Sequence, residues 1–186
     1  MLVSPQSITF AVLLIPGYQW LDIVGPIAYI NTHSRAVMQM PVVPESIRAK
    51  APVINWHYIS SEAVPPIDYL LVPGANSSRL LSNELSSFIH DRFPTLKGVL
   101  TVCTGSVVFA QTGLLDGVHV ASNKVALKYM VETGRLNKKS LDLAAEFARV
   151  HFDPELVDLA RNLTEYDSNP AQPDPFSPIL DGVDLG

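Results

Sequence analysis

Unbroken apolar stretches alternate along this chain with segments of helical period. Residues 8–15 (ITFAVLLI) are apolar without alternation, the pattern of a parallel strand covered on both faces. Pro16-Gly17 stops the run. Trp20, Leu21, Ile23, Val24, Ile27 and Ile30 then recur at helical spacing and predict a helix over about 19–32. Asp22 falls in its first turn, where a carboxylate suits the helix dipole, and Gly25-Pro26 interrupts its middle. Residues 67–72 (IDYLLV) read as a second buried strand, closed by Pro73-Gly74-Ala75-Asn76; the 76–78 run offers N-caps for a short helix. An amphipathic helix is predicted over 83–93 (NELSSFIHDRF). The β-branched run 99–102 then changes into a helical run, 106–115, across the corner Cys103-Thr104-Gly105.

Elsewhere the pattern is weaker. Residues 36–66 are mixed and proline-rich, with β-like pieces at 36–40 (AVMQM) and 53–59 (VINWHYI) that predict edge strands or a hairpin. A short strand is expected over 118–122, a helix over 124–132 closed by Gly134, a polar link over 135–139 and a helix over 140–152. Asp153-Pro154-Glu155 combines an N-cap, an N1 proline and a first-turn acid, and opens a last helix to about residue 166. Residues 167–186 carry no periodicity and read as an irregular Pro-rich tail. Strands alternating with helices predict an α/β fold: a doubly wound, mainly parallel sheet sandwiched by helices, as one domain over 1–166. Ligands in such sheets bind beyond the carboxyl ends of the strands, and three of those ends, 16–22, 73–76 and 103–104, are expected to converge on one crevice.

Composition sharpens this picture. Among 186 residues, 47% are apolar and 17% charged, which favours one well-buried core over disorder. The net charge of −5, with no basic cluster, argues against nucleic acid or an anionic membrane as a partner. A single cysteine cannot form an internal disulfide, so a reducing, cytoplasmic setting is expected. The N-terminal apolar run has no basic flank or small-residue cleavage site and reads as a strand, too short to span a bilayer. Without a signal peptide, the sequon Asn76-Ser77-Ser78 is set aside. His33, His57, His90, His119 and His151 are scattered, with no metal-ligand spacing, so no metal is expected.

The candidate chemistry centres on Cys103. A sharp strand-to-helix corner presents its side chain at the end of a sheet against unpaired helix amides, the nucleophile-elbow arrangement. Such surroundings push a thiol towards thiolate from its ordinary pKa of about 8.5. The other readings are a buried structural thiol or an oxidisable sensor. Asp22 is expected to face Cys103; a carboxylate there has to be protonated or hydrogen-bonded to relieve repulsion with a thiolate, and it suits proton transfer. Thr104 is either a substrate contact or a plain N-cap, Lys124 a solvated helix-start residue, and Trp56 and His57 packing or interface residues.

Three segments carry a resemblance to a known family: 13–19 (LLIPGYQ) through 21–26 (LDIVGP), 68–74 (DYLLVPG), and 101–105 (TVCTG) through 113–117 (GLLDG) with 121–124 (ASNK). Together they resemble the ThiJ/PfpI superfamily, of class I glutamine amidotransferase-like, flavodoxin-like fold, and its isocyanide-hydratase-type members. The resemblance implies that Cys103 is the nucleophile and Asp22 the acid beside it. It also implies that the amides of Gly74 and Thr104 form an oxyanion site, with Ala75 and Gly105 in the same substrate-binding loops and the Thr104 side chain in reach of substrate or water. Relatives often carry histidine where Lys124 stands and a second glycine where Ala75 stands. They also carry a further strand and turn where this chain has only residues 135–139, so it looks shortened there. The implied activity is a cofactor-free, cysteine-dependent hydratase or hydrolase of a small electrophile, isocyanide to N-formamide. The alternatives are glyoxalase-type conversion of a 2-oxoaldehyde, or a non-catalytic redox-sensing or scaffold protein. A ligand-sensing module of a transcription regulator lacks a helix-turn-helix or basic region to support it. A homodimer is implied as well.

Overall fold

The apolar run near the N-terminus forms the second strand of the parallel sheet, four-stranded among the described residues. The computed structural model describes residues 6–60, 66–76, 79–116, 118, 122, 128 and 150–163. Strand β1 (Ser7–Leu13) lies between β2 (Val53–Ile59) and β3 (Tyr69–Val72), and β4 (Gly98–Thr101) pairs with the far side of β3. Every pairing is parallel, with Phe10 opposite both Trp56 and Tyr69, and Leu71 opposite Leu100. The spatial order β2-β1-β3-β4 places a topological switch point between β1 and β3, where the chain changes the direction in which it adds strands.

Residues 10–13 of β1 are fully buried because helices cover both faces of the sheet. On one face Ile8, Phe10, Val12, Tyr69, Leu71 and Leu100 pack with Ile23 and Ile30 of helix α1 (Leu21–Thr32) and with Leu156 and Ala160 further along the chain. On the other, Ala11, Leu13, Leu70 and Val72 pack with other helical residues, Leu85, Ile89, Val108 and Phe109. The alternation of clusters along each strand is the period of two expected of a pleated strand. An apolar residue is therefore useful at every position, which is why the sequence shows a run rather than an alternation.

Between α1 and β2 lie a single 3-10 turn (Val37–Gln39) and the one-turn helix α2 (Glu45–Arg48). The strand expected over 36–40 is not formed. The Ser34 hydroxyl accepts from the Val37 amide, the Met38 amide returns to the Ser34 carbonyl, and Met38 is buried without any strand pairing. β2 matches its predicted span. It stands at the edge of the described sheet, but parallel to β1, so a crossover replaces the hairpin alternative.

After β3, Ser82 caps α3 (Asn83–Arg92) by accepting from the Leu85 amide; residues 79–82 are not helical, and 77–78 lie outside the described residues. Helix α4 (Gly105–Ala110) follows β4 and is shorter than the run 106–115 predicts. The Thr112 hydroxyl takes the Phe109 carbonyl, and Gly113 adopts φ +77, a left-handed conformation that ends a helix. Helix α5 (Pro154–Leu163) opens as the sequence indicates, with Asp153 Oδ1 accepting from the Glu155 amide. Lys50 pairs with both Asp153 (3.0 Å) and Glu155 (2.6 Å), tying the loop before β2 to the start of α5.

Of the helices predicted over 124–132 and 140–152, all but residues 128 and 150–152 lie outside the described residues, as do Lys124, the 135–139 link and the tail. The same holds for most of the strand predicted over 118–122. No helix among the described residues is long and apolar enough to cross a membrane.

Candidate active site

The carboxyl ends of β1, β3 and β4 meet as expected, and hydrogen bonds zip them together. The loop after β1 and the first turn of α1 are each joined to the loop after β3. The Gln19 amide donates to the Gly74 carbonyl (2.8 Å), and the Gly74 amide donates to Asp22 Oδ2 (2.9 Å). That second loop is joined in turn to the corner after β4. The Thr104 hydroxyl donates to the Ala75 carbonyl (2.8 Å) and accepts from the Ala75 amide (3.0 Å). The structure thus brings Asp22, Gly74, Ala75, Cys103, Thr104 and Gly105 into one place.

Cys103 sits at a strained elbow. It is the one non-glycine residue with positive φ among the described residues, at +53°, and is half-buried. Thr104 follows at φ −77, ψ 1, and the Gly105 amide closes the turn onto the Val102 carbonyl (2.8 Å). These values match a type II′ turn with cysteine at the position that glycine ordinarily takes. A left-handed non-glycine residue costs roughly 1–2 kcal/mol and persists only where its surroundings over-determine it. They do so here. The Val102 amide extends the pairing of β4 with β3 by donating to the Val72 carbonyl (2.9 Å). The Cys103 carbonyl accepts from the hydroxyls of Ser122 (3.0 Å) and Ser106 (3.4 Å).

Two glycines make the approach of these loops feasible. A Cβ at Gly105 would collide with the Val72 carbonyl oxygen and lie 2.9 Å from that of Pro73. Gly105 therefore lets α4 begin directly against the end of β3. A Cβ at Gly74 would strike Asp22 Oδ2 and lie 3.0 Å from both the Cys103 Cβ and the Thr104 Oγ1. That a single methyl group would touch all three shows how closely the carboxylate, the cysteine and the hydroxyl crowd one point.

The same geometry alters several expected roles. The Gly74 amide is engaged by Asp22, the Ala75 amide by Thr104 and the Gly105 amide by Val102. The Thr104 hydroxyl spends its proton on Ala75, so it can only accept from a ligand. Ser106 and Ser122 were not among the sequence candidates. Ser122 acts across 19 residues, and no spacing rule connects it to the elbow.

Beside the elbow lies a cleft of about 150 Å³ lined by Ile15, Pro16, Asn76, Arg79, Leu81 and Val108, among others. It shares the loops of the site, but neither Cys103 nor Asp22 lines it. Trp20, Leu21 and Val24 are 69%, 79% and 54% exposed on and beside the first turn of α1. Among the described residues no three His, Cys, Asp or Glu side chains form a metal-holding group.

No family model matches the chain, and no curated protein matches it in sequence. Solved structures do match. A ThiJ/PfpI family protein from Pseudomonas syringae superposes with a TM-score of 0.60 at 17% identity, over 91% of this chain and 78% of that one. DJ-1 from Schizosaccharomyces pombe superposes with a TM-score of 0.53 at 10% identity, over 87% of this chain and all of that one. A point mutant of the same DJ-1 gives 0.56 at 9% identity, over 86% of this chain and all of that one. At these identities the likeness shows the fold: this chain is built on the α/β flavodoxin-like fold that the ThiJ/PfpI and DJ-1 structures share.

Proposed function

We propose that the chain is a cofactor-free, cysteine-dependent hydratase or hydrolase of a small electrophile, with isocyanide as the substrate class. The observation that carries this reading is the strained elbow at Cys103 with the Asp22 carboxyl group lodged beside it on the Gly74 amide. One oxygen of Asp22 is held by Gly74, which leaves the other to exchange a proton with bound substrate. The Cys103 thiolate attacks the isocyanide carbon, and Asp22 delivers a proton to that carbon, giving a thioimidate. Asp22 then takes a proton from water as the oxygen adds to the same carbon. Asp22 passes that proton to the nitrogen and takes up the proton of the new hydroxyl as the carbon–sulfur bond breaks, which releases the N-formamide, the thiolate and the protonated Asp22. The Thr104 amide is the proposed donor to developing negative charge, and the Gly74 amide joins it when the carboxyl group swings to the substrate. In glyoxalase-type conversion the same thiolate would add to an aldehyde carbon.

The test is turnover of an aryl isocyanide and of methylglyoxal by the protein and two variants. Cys103→Ala is expected to lose roughly 10⁴-fold or more in kcat. Asp22→Asn is expected to lose about 10²- to 10⁴-fold. Turnover that survives Cys103→Ala removes the nucleophile. The second reading, a redox-sensing member without turnover, is favoured by the internal engagement of the Gly74, Ala75 and Gly105 amides. It predicts a Cys103 that peroxide oxidises with neither substrate consumed. A homodimer is part of the proposal, with the exposed apolar face of α1 at Leu21 and Val24 as its contact: a helix apolar all round is normally a covered one.

A further inference from the structure

We propose that Ser122 is a positioning residue of this site: its hydroxyl, by holding the Cys103 carbonyl, fixes the Cys103–Thr104 peptide and so the direction of the Thr104 N–H. The inference rests on the reading of Cys103 and the Thr104 amide given above and adds the residue that aims them.

The Cys103–Thr104 peptide is the central peptide of the elbow turn. Turn types with similar end residues differ chiefly in how this unit is rotated, so it is the part of a tight turn freest to flip. At Cys103 the rotation also carries the strain, because φ is +53 on a residue with a Cβ. The pairing of Val102 with Val72 and the closure of Gly105 onto Val102 hold the two ends of the turn but leave that rotation open. Hydrogen bonds to the carbonyl of Cys103 are what select one orientation. The Ser106 hydroxyl supplies a long one, at 3.4 Å, from within α4. The Ser122 hydroxyl, nine-tenths buried, supplies the shorter one, at 3.0 Å, from outside the elbow. A trans peptide is planar, with its C=O and N–H pointing opposite ways. A carbonyl anchored on Ser122 therefore sends the Thr104 N–H to the opposite side of the turn.

The experiment uses the full chain with Ser122→Thr, which keeps the hydroxyl, Ser122→Val, which has the same shape without it, and Ser122→Ala. Two quantities are read: the Thr104 amide cross-peak by ¹⁵N NMR, and the rate of Cys103 alkylation by iodoacetamide as a function of pH. In Ser122→Val and Ser122→Ala the Thr104 cross-peak moves. The high-pH plateau of the alkylation rate falls about three- to tenfold, the effect of one hydrogen bond, and Ser122→Thr returns both to near the parent values. A residue that merely stabilised the fold would lower the melting temperature and leave the plateau and the cross-peak in place. That outcome overturns the proposal, as does equal behaviour of Ser122→Val and Ser122→Thr. If Ser122→Ala fails to fold, the Thr and Val pair decides alone. If the parent protein is alkylated no faster than its urea-unfolded chain, the reactive-thiol reading fails, while the cross-peak comparison still decides what Ser122 does.

Discussion

Gly74 and Gly105 are both occupied to the limit of their space, yet the neighbours they would strike differ in kind. At Gly105 the obstacle is the Val72 backbone carbonyl, part of a sheet that cannot yield. Gly105→Ala is expected to cost roughly 3 kcal/mol, the upper part of the usual range for one substitution, visible as a lowered urea midpoint. At Gly74 the first obstacle is the far end of the Asp22 side chain, which can rotate away. Gly74→Ala is expected to cost about 1 kcal/mol in stability, and at least tenfold in turnover because the carboxyl group is displaced from the cysteine. Unfolding and kinetic measurements on the two variants separate a glycine needed by the fold from one needed by the site. The corner itself was legible in the sequence, since Cys103-Thr104-Gly105 joins a β-branched run to a helical one. What each amide bonds to was not: the Gly74–Asp22 bond spans 52 residues and the Ala75–Thr104 pair spans 29.

Helix α1 ends in a buried histidine that the chemistry above does not use. The His33 ring is fully buried, with Nδ1 3.0 Å from the Tyr29 carbonyl and the ring 4.9 Å from that of Phe152. Burial pushes its pKa below the ordinary value, against the smaller upward pull of the Tyr29 and Ile30 carbonyls. The unfolded chain, in which the imidazole titrates near 6.5, thus binds a proton more readily than the folded one. Stability is then fully present above about pH 6.5 and is lost as the pH falls through that value towards the lower folded pKa. Among the described residues Nε2 has no hydrogen-bond partner, so a proton added there would be buried with no acceptor among them. Urea unfolding measured from about pH 7.5 to about pH 5 is expected to show this decline, and His33→Leu to flatten it. At this scale the sequence located α1, α3 and the start of α5 to within a few residues. It over-extended α4, because 106–115 reads as one helical run while the Thr112 hydroxyl and the left-handed Gly113 end the helix early. The strand expected over 36–40 failed because one buried side chain, Met38, can be satisfied by a 3-10 turn, whereas a strand needs a partner along its length.

Across the whole molecule the sheet is held from both sides, and Phe10 is its centre. Its ring stacks on Trp56 at 4.6 Å and on Tyr69 at 5.2 Å, linking three adjacent strands. Phe10→Ala is expected to destabilise by about 3–5 kcal/mol, measured by chemical unfolding, because the rings on either side cannot close the space. Leu21→Glu with Val24→Glu is expected to move the elution of a dimeric protein to the monomer volume, and an unchanged volume removes α1 as the contact. The order of strands and helices was readable because burial on both faces writes itself into the chain as unbroken apolar runs, a local signal that needs no knowledge of neighbours. That order implies a doubly wound parallel sheet, and such a sheet implies a crevice at its carboxyl ends, so Asp22, Gly74 and Cys103 could be placed near one another from the sequence alone. Their pairing was decided only in three dimensions. Asp22 takes the Gly74 amide, Thr104 closes on Ala75, and Ser122 holds the Cys103 carbonyl. Each is a directional bond of about 3 Å between residues distant in the chain, and periodicity, which reports burial, carries no information about direction.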